Sequence, residues 1–335
     1  MNATGTMKIV EVCSVGLAAV AASYLGYKFW AKLVRAKPLD STKAVIITGC
    51  DSGLGFSFAK HFVERGMTVL ACVLDLDCDG AQELAGDLVH LYKMDVTKEE
   101  LVKNVSEQIM HTINENGYEL LGLVNNAGVL LFGDFECLTM NHIQNQINVN
   151  FIGTLTVTKY FLPLIRTHRA RVINLTSHCA KASLPSLSIY CATKAAIDAW
   201  SQSLRIEMER FGVKVITFVP GSYPLKSRIL CKQAELMCEM EQLMTPDIKK
   251  AYPHFETLQS YLFKIGIPSQ DTIGYVDDPV LFAKFEDALF STSPKREYVN
   301  ENFRYKLYHT MFKLSPTEGI KDYLIKKFVS IPPYA

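Results

Sequence analysis

Residues 44–66 read AVIITGCDSGLGFSFAKHFVERG and change character twice within that short span. Ala44–Thr48 is a continuous apolar run, the pattern of a parallel strand buried on both faces. Gly49, Gly53 and Gly55 follow in a Gly-x-x-x-Gly-x-Gly spacing, and FSFAKHFVERG then takes up a helical pattern. Glycines permit a tight turn and let the backbone come close to a pyrophosphate, whose charge sits at the following helix N-terminus. Glycine-rich turns are common, so the spacing gains meaning only from its place between a strand and a helix.

Downstream, a second strand, Met67–Leu74, is followed by Asp75, Asp77 and Asp79. An acid here bonds adenine-ribose hydroxyls, whereas a 2′-phosphate would call for an arginine. No Lys or Arg lies between Arg65 and Lys93. The pattern favours NAD over NADP with Asp75 as ribose partner; the alternative is that these acids only cap the next helix. A third strand, Leu88–Met94, ends at Asp95-Val96, where a carboxylate would reach the adenine edge. A polar helix, Lys98–Asn116, leads to the fourth strand and LVNNAG (Leu123–Gly128). Two asparagines there are costly to bury unless hydrogen-bonded, so they are expected to act as latches. A long helical stretch, Thr139–Arg166, contains Asn148, Asn150 and Lys159. This β–α alternation predicts an α/β fold of Rossmann type, a doubly wound parallel sheet with ligand at the strands' C-terminal ends.

The chemistry is carried by Arg171–Ala196, RVINLTSHCAKASLPSLSIYCATKAA. An apolar run ends at Ser177, and Tyr190 and Lys194, four apart, share one face if their segment is helical. An ammonium beside a phenol favours the phenolate and makes it a usable base. With the Ser177 hydroxyl to hold an alcohol or carbonyl oxygen, the set predicts proton transfer at a carbinol. His178 is expected to be a hydrogen-bonded loop residue, and Cys179 and Cys191 packing residues.

The chain has 335 residues, with 35 Lys+Arg against 34 Asp+Glu. Such balance argues against nucleic-acid binding. None of the nine cysteines falls in a CxxC or CxxH pattern, so reduced packing cysteines are expected, with no metal. Residues 9–30 are apolar apart from Glu11 and Lys28, with Tyr24, Tyr27, Phe29 and Trp30 gathered at the far end. That length suits a transmembrane anchor with an aromatic belt. A cleaved signal peptide would carry its positive charge before the apolar run; here Lys28, Lys32, Arg35 and Lys37 come after its charge-free part. The positive-inside tendency then places the catalytic part in the cytosol. Of two Asn-x-Ser/Thr triplets, Asn174 falls in a buried strand, and a glycan on Asn104 would contradict that orientation.

Together, Thr48-Gly49-Cys50-Asp51-Ser52-Gly53-Leu54-Gly55, Asp95-Val96, Asn125-Asn126-Ala127-Gly128, Asn150, Ser177, Tyr190-x-x-x-Lys194 and Pro220-Gly221 resemble the short-chain dehydrogenase/reductase family in order and spacing. The likeness is firm over residues 43–222 and loose to 330. It leans to the membrane-bound branch of hydroxysteroid and retinol dehydrogenases, insect ecdysteroid-pathway enzymes and D-3-hydroxybutyrate dehydrogenase. The resemblance implies catalysis by Asn150, Ser177, Tyr190 and Lys194, with Ser177 and Tyr190 on the substrate. It implies cofactor contacts from Thr48, Gly49, Asp51, Ser52, Gly53, Leu54, Gly55, Asp75, Asp95, Val96, Asn126, Ala127, Gly128, Tyr190, Lys194, Pro220 and Gly221. It further implies a homo-oligomer built on two long helices. One position departs: four residues beyond Gly221, where the family places a threonine on the cofactor carboxamide, stands Leu225, with Ser222 or Ser227 as substitutes.

The expected organisation is an anchor over 1–40, a catalytic domain over 41–300 with a substrate lid at 222–295, and a tail over 301–335. Within the lid, Gln233–Met244 and His254–Ile265 read as helices, and Met237, Met240 and Met244 either line an apolar pocket or simply pack. Val280–Phe290 reads as a helix and Glu297–Val299 as a last strand. The tail, Arg304–Lys327, mixes aromatics with lysines, which fits either an amphipathic membrane surface or a solvated face with a core stripe. The expected activity is alcohol–ketone redox with NAD on a lipophilic steroid or retinoid, at a membrane of the endoplasmic reticulum or mitochondrion. The rival class is a catalytically silent dinucleotide-binding scaffold.

Overall fold

In a computed structural model, residues 39–265 and 273–329 are described; the N-terminal apolar run lies outside them. β1 (Lys43–Thr48) is buried from Ala44 onward, which a continuous apolar run tolerates and an alternating one does not. β2 (Thr68–Val73) is equally buried, and β3 (Val89–Lys93) is half-exposed at the sheet edge. β4 (Glu119–Asn125), β5 (Arg171–Leu175), β6 (Val215–Val219) and β7 (Glu297–Val299) complete a seven-stranded sheet in the order β3-β2-β1-β4-β5-β6-β7. Every pairing is parallel, as the alternation predicts. The sheet grows one way from β1 to β3 and the other way from β4, so a crevice opens beyond the C-terminal ends of β1 and β4.

Helices cover both faces. On one, α3 (Glu99–Asn116) and α5 (Gly153–His168) bring Val102, Ile109 and Phe161 against Ala44, Ile46 and Leu123. Glu99 and Glu100 in the first turn of α3 complement the helix dipole, and Gly117, at φ 65°, ends the helix in a left-handed cap. On the other face, α1 (Gly53–Glu64) stacks Phe58 on Phe285 of α10 (Pro279–Phe290), ring centroids 3.9 Å apart, with Phe218 of β6 edge-on to both. Truncating one of these rings to alanine would cost about 3–5 kcal/mol.

The stretch 139–166 is not one uninterrupted helix. After α2 (Asp79–Leu84) and α3, α4 (Met140–Ile147) starts at a Thr139–His142 capping box, then widens into a π-type turn over Asn148–Ile152 before α5. Gly153 follows the turn because it abuts Val96; a Cβ there would lie 2.7 Å from Val96 Cγ2. The turn delivers Asn150 inward, fully buried.

α6 (Ser188–Glu209) runs behind β5, with Trp200 and Leu204 in core packing as expected. Beyond β6, α7 (Gln233–Leu243), α8 (Pro246–Ala251) and α9 (Phe255–Ile265) form a cap. Met237, Met240 and Met244 pack there with Leu258, Leu262 and Leu131, so the methionine stripe is packing. Gln233 fastens the cap by exchanging hydrogen bonds with both backbone groups of Phe132, each 2.9 Å. The lid stretch thus divides: α7–α9 form the cap, and α10 belongs to the sheet's helical layer. The tail is helical, α11 (Phe303–Leu314) and α12 (Glu318–Val329), joined through Phe312, Ile325 and Phe328 and packed on Ala182 and Leu184. Among the described residues, no helix is long and apolar enough to cross a membrane.

Candidate active site

The glycine turn is shaped by close approach. Gly49 and Gly53 adopt φ 70° and 60°, conformations side chains disfavour. A Cβ on Gly55 would lie 2.1 Å from Gly49 O and 2.4 Å from Asn126 Nδ2. The asparagine latches are formed: Asn126 Nδ2 donates to Thr48 O (2.8 Å) and Gly49 O (3.1 Å), while Thr48 Oγ1 accepts from the Asn126 and Ala127 amides, both at 3.0 Å. Asn125 donates to Thr158 and Asn174, and Asn174 to Ser201, a buried polar chain in which the Asn125 Oδ1 alone is left without a partner among the described residues. The turn and the β4 end are thereby clamped together, with an opening before them.

That opening is one cavity of about 1000 Å³. Gly49, Asp51, Ser52, Leu54, Asp75, Asp95, Val96, Asn126, Ala127 and Gly128 line one half; Ser177, Tyr190, Lys194, Pro220 and Gly221 stand further in. Thr48, Gly53, Gly55 and Asn150 are not on its wall and shape it from behind. Asp51 Oδ1 accepts from the Leu74 amide (2.7 Å) and the Asp75 amide (3.2 Å), which fixes the end of β2. Asp79 sits in the first turn of α2, whereas Asp75 faces the cavity. Asp95 holds Thr97 through its amide (2.9 Å) and hydroxyl (2.7 Å).

The Ser177 hydroxyl stands beside the Tyr190 phenol, and Ser177 Oγ accepts from the Cys179 amide at 3.2 Å. Lys194 is on the same helical face as Tyr190, but its Nζ lies 5.7 Å from the centre of the Tyr190 ring and donates to Leu175 O at 3.0 Å. The ammonium therefore does not lower the phenol here. Burial pushes the Tyr190 phenol up, nearby Cys179 adds to it, and the Ser177 hydroxyl opposes them. Burial also pulls Lys194 down to about 8. Asn150 exchanges hydrogen bonds of 2.8 Å with both backbone groups of Val129 and donates at 3.2 Å to Thr193, the residue directly before Lys194.

His178 is a hydrogen-bonded loop residue. Its Nδ1 lies 3.0 Å from Glu301 Oε1, which also takes His309 Nδ1 at 2.5 Å. Burial, reinforced by His309, lowers His178 to about 4 against the pull of Glu301, so its imidazole is neutral near pH 7. Cys179 and Cys191 pack with Leu187 and Tyr190, and all described cysteines are free. Leu225 is 56% exposed and absent from the cavity wall, whereas Ser222 and Ser227 line it. Sequence reading missed the tail's part: Tyr305, His309, Phe312 and Phe328 line the far wall. The spacing of Tyr305, His309 and Phe312 is the helical signal that would have found it.

Comparisons with known proteins agree with this geometry. A family model described as short chain dehydrogenase matches residues 43–228. Estradiol 17-beta-dehydrogenase 2 of Mus musculus is 35% identical over 300 residues, covering 87% of this chain and 75% of its own. The mitochondrial D-beta-hydroxybutyrate dehydrogenase of Bos taurus is 35% identical over 271 residues, covering 77% and 76%. A solved short-chain dehydrogenase from Streptomyces avermitilis shares the fold with a TM-score of 0.64 at 22% identity, covering 86% of this chain and 97% of that one.

Proposed function

The chain belongs to the short-chain dehydrogenase family, and from that premise we propose that it is an NAD-dependent enzyme interconverting a secondary alcohol and a ketone on a lipophilic molecule, foremost a steroid. That it is an oxidoreductase acting on CH–OH groups follows from the family itself. The observation that carries the finer reading is one cavity holding the glycine cradle at one end, Ser177, Tyr190 and Lys194 midway, and mostly apolar walls beyond. Leu130, Leu184, Leu187, Ile229 and Phe312 form much of those walls.

The cradle fits a nicotinamide dinucleotide, since Gly49, Ser52 and Leu54 line the cavity where α1 begins and its N-terminal amides favour a pyrophosphate. Gly49, Ser52 and Leu54 would hold its pyrophosphate, Asp51 and Asp75 its adenine ribose and Asp95 with Val96 its adenine. Asp51 and Asp75 set two carboxylates at the end of β2, which favours ribose hydroxyls and disfavours a 2′-phosphate. When bound, the dinucleotide supplies hydride exchange at the carbinol carbon.

The protein's part is the proton. Ser177 holds the substrate oxygen and stabilises charge developing on it. Tyr190, kept neutral by burial, enters the reductive direction ready to donate to that oxygen. In the oxidative direction it must first lose its proton, and Lys194, whose own proton is loosened by burial, is the adjacent group to assist, supported from behind by Thr193 and Asn150.

A second reading, a small hydroxy acid, draws support from Arg228 and Arg304 at the cavity wall and from the bovine relative's name. Retinol would need a narrower, flatter passage. Membrane association draws support from α11, where Phe303 (81% exposed), Leu307, Met311 and Leu314 (75%) form an outward apolar stripe beside Arg304, Lys306 and Lys313. Cytosolic orientation at the endoplasmic reticulum, or alternatively a mitochondrial membrane, is tested by glycan on Asn104, exposed on α3. A homo-oligomer built on α5 and α6 completes the proposal.

The test is purified protein with NAD against a panel of hydroxysteroids, retinol and 3-hydroxybutyrate. NADH formation on hydroxysteroids, reduced about a thousandfold by Tyr190→Phe with NADH affinity retained, is expected. Undiminished turnover by Tyr190→Phe would sink the mechanism, and NAD binding without turnover on any alcohol or ketone would favour the scaffold reading.

A further inference from the structure

The segment from Pro220 to Arg228 crosses the cavity opposite Tyr190 and Lys194, and its own side chain at 225 points to solvent. What holds it lies behind it. Asn300, just past β7 and 9% exposed, donates its amide to Val219 O at 2.8 Å. Its Nδ2 lies within hydrogen-bond distance of Tyr223 Oη (2.8 Å), Asp278 Oδ2 (3.1 Å) and Pro220 O (3.2 Å). Tyr223 Oη donates to Asp278 Oδ2 at 2.5 Å. The other oxygen of Asp278 caps α10, accepting from Val280 (2.9 Å) and Leu281 (3.3 Å). Lys284 closes the set by donating to Asn300 Oδ1 at 3.0 Å.

The chain lies flush on this network. Gly221 sits at φ 102°, and a Cβ there would come 2.6 Å from Asn300 O. At its other end the segment touches the glycine turn, where a Cβ on Gly53 would lie 2.1 Å from Ser227 O. It is therefore pinned behind the catalytic half of the cavity at one end and on the phosphate cradle at the other. Burial, aided by Asp278, raises the Tyr223 phenol, so it remains a donor throughout the working pH range.

We propose that Tyr223, Asp278 and Asn300 are positioning residues: they hold Pro220–Arg228 at the spacing that grips a dinucleotide, the role a side chain at 225 does not perform here. The inference rests on the dinucleotide reading above. Its energetic content is local and polar, because one phenol, one carboxylate and one amide replace contacts the segment would otherwise make with water.

The test uses the full-length protein and its Tyr223→Phe, Asp278→Asn and Asp278→Ala variants, with three readouts: NADH affinity by fluorescence, KM for NAD and for the alcohol, and hydrogen exchange of residues 221–228 without cofactor. Tyr223→Phe is expected to weaken NADH binding about tenfold, the worth of one buried hydrogen bond to a charged group. It should raise KM for NAD but not for the alcohol, and speed exchange in 221–228 alone. Asp278→Asn, whose single oxygen keeps the helix cap while its NH2 turns to Tyr223, should fall between wild type and Asp278→Ala. Unchanged NADH affinity and exchange in Tyr223→Phe, with wild type binding NADH, would overturn the proposal alone. So would a parallel loss of affinity, alcohol KM and thermal stability, which marks general damage. Wild type that binds neither NADH nor NADPH would overturn the dinucleotide reading and this proposal with it.

Discussion

Replacing Lys194 by methionine should make the protein more stable and inactive. Lys194 is 5% exposed, and its Nζ donates to Leu175 O. Burial lowers it from 10.5 to about 8. Below pH 8 the folded and unfolded chains both carry the proton, and the folded state bears a penalty of roughly 3 kcal/mol, 2.5 pH units at 1.36 kcal/mol each. Between about pH 8 and 10.5 only the unfolded chain holds the proton, so stability contributed by this site climbs with pH. Above that window neither state is charged and the penalty vanishes. Methionine fills similar volume but leaves Leu175 O without its donor, a loss of about 1 kcal/mol. The net expectation for Lys194→Met is a gain of about 2 kcal/mol at pH 7. The gain should shrink toward pH 9.5, the upper limit of the experiment because Tyr190, with its pKa raised in the fold, begins to subtract stability above pH 10. Urea unfolding at several pH values measures it, with turnover recorded in parallel. A variant less stable than wild type at pH 7, or a gain independent of pH, would refute the view that Lys194 is a buried charge carried at a cost in stability.

Gly53→Ala combines a φ of 60° with a Cβ 2.1 Å from Ser227 O, so a loss of about 2–3 kcal/mol in urea and weakened NADH binding are expected. Asp75→Asn removes one of two acids that line the cavity beside the end of β2 and should narrow the proposed NAD-over-NADP preference several-fold, read from paired dissociation constants. Phe303→Ser with Leu314→Ser should leave turnover of a water-soluble secondary alcohol unchanged and raise KM for a vesicle-borne one; equal KM values would remove the α11 stripe from consideration.

The sheet could be read from the chain because Ala44–Thr48 and Val172–Leu175 are buried on both faces, and such strands are written mainly in apolar residues, with Thr48 and Asn174 the hydrogen-bonded exceptions. The spacing of Tyr190 and Lys194 was equally visible, since α6 enforces it. Their ionisation was not: it depends on how deeply α6 is sunk and on where Leu175 O lies, neither of which spacing encodes. The Tyr223–Asp278–Asn300 set joins three distant segments only after β7 docks beside β6. One hint was local, an aspartate directly before Pro279, the signature of a capped helix start. Read alone, it gave the helix and not the phenol it would hold.

The glycine turn has a consequence for biosynthesis. The Gly53 amide is capped by Gly274 O at 2.9 Å, and Ser57 Oγ accepts from the Val276 amide, 219 positions away. A ribosome adding about 5–20 residues per second will have released β1 through β6 seconds before that partner emerges. Until then the nascent sheet carries its phosphate cradle unfinished, with Phe58 and Phe62 lacking Phe285. The last quarter of the chain is thus needed to complete the first, and truncation before α10 should leave an apolar helix face for chaperones to hold.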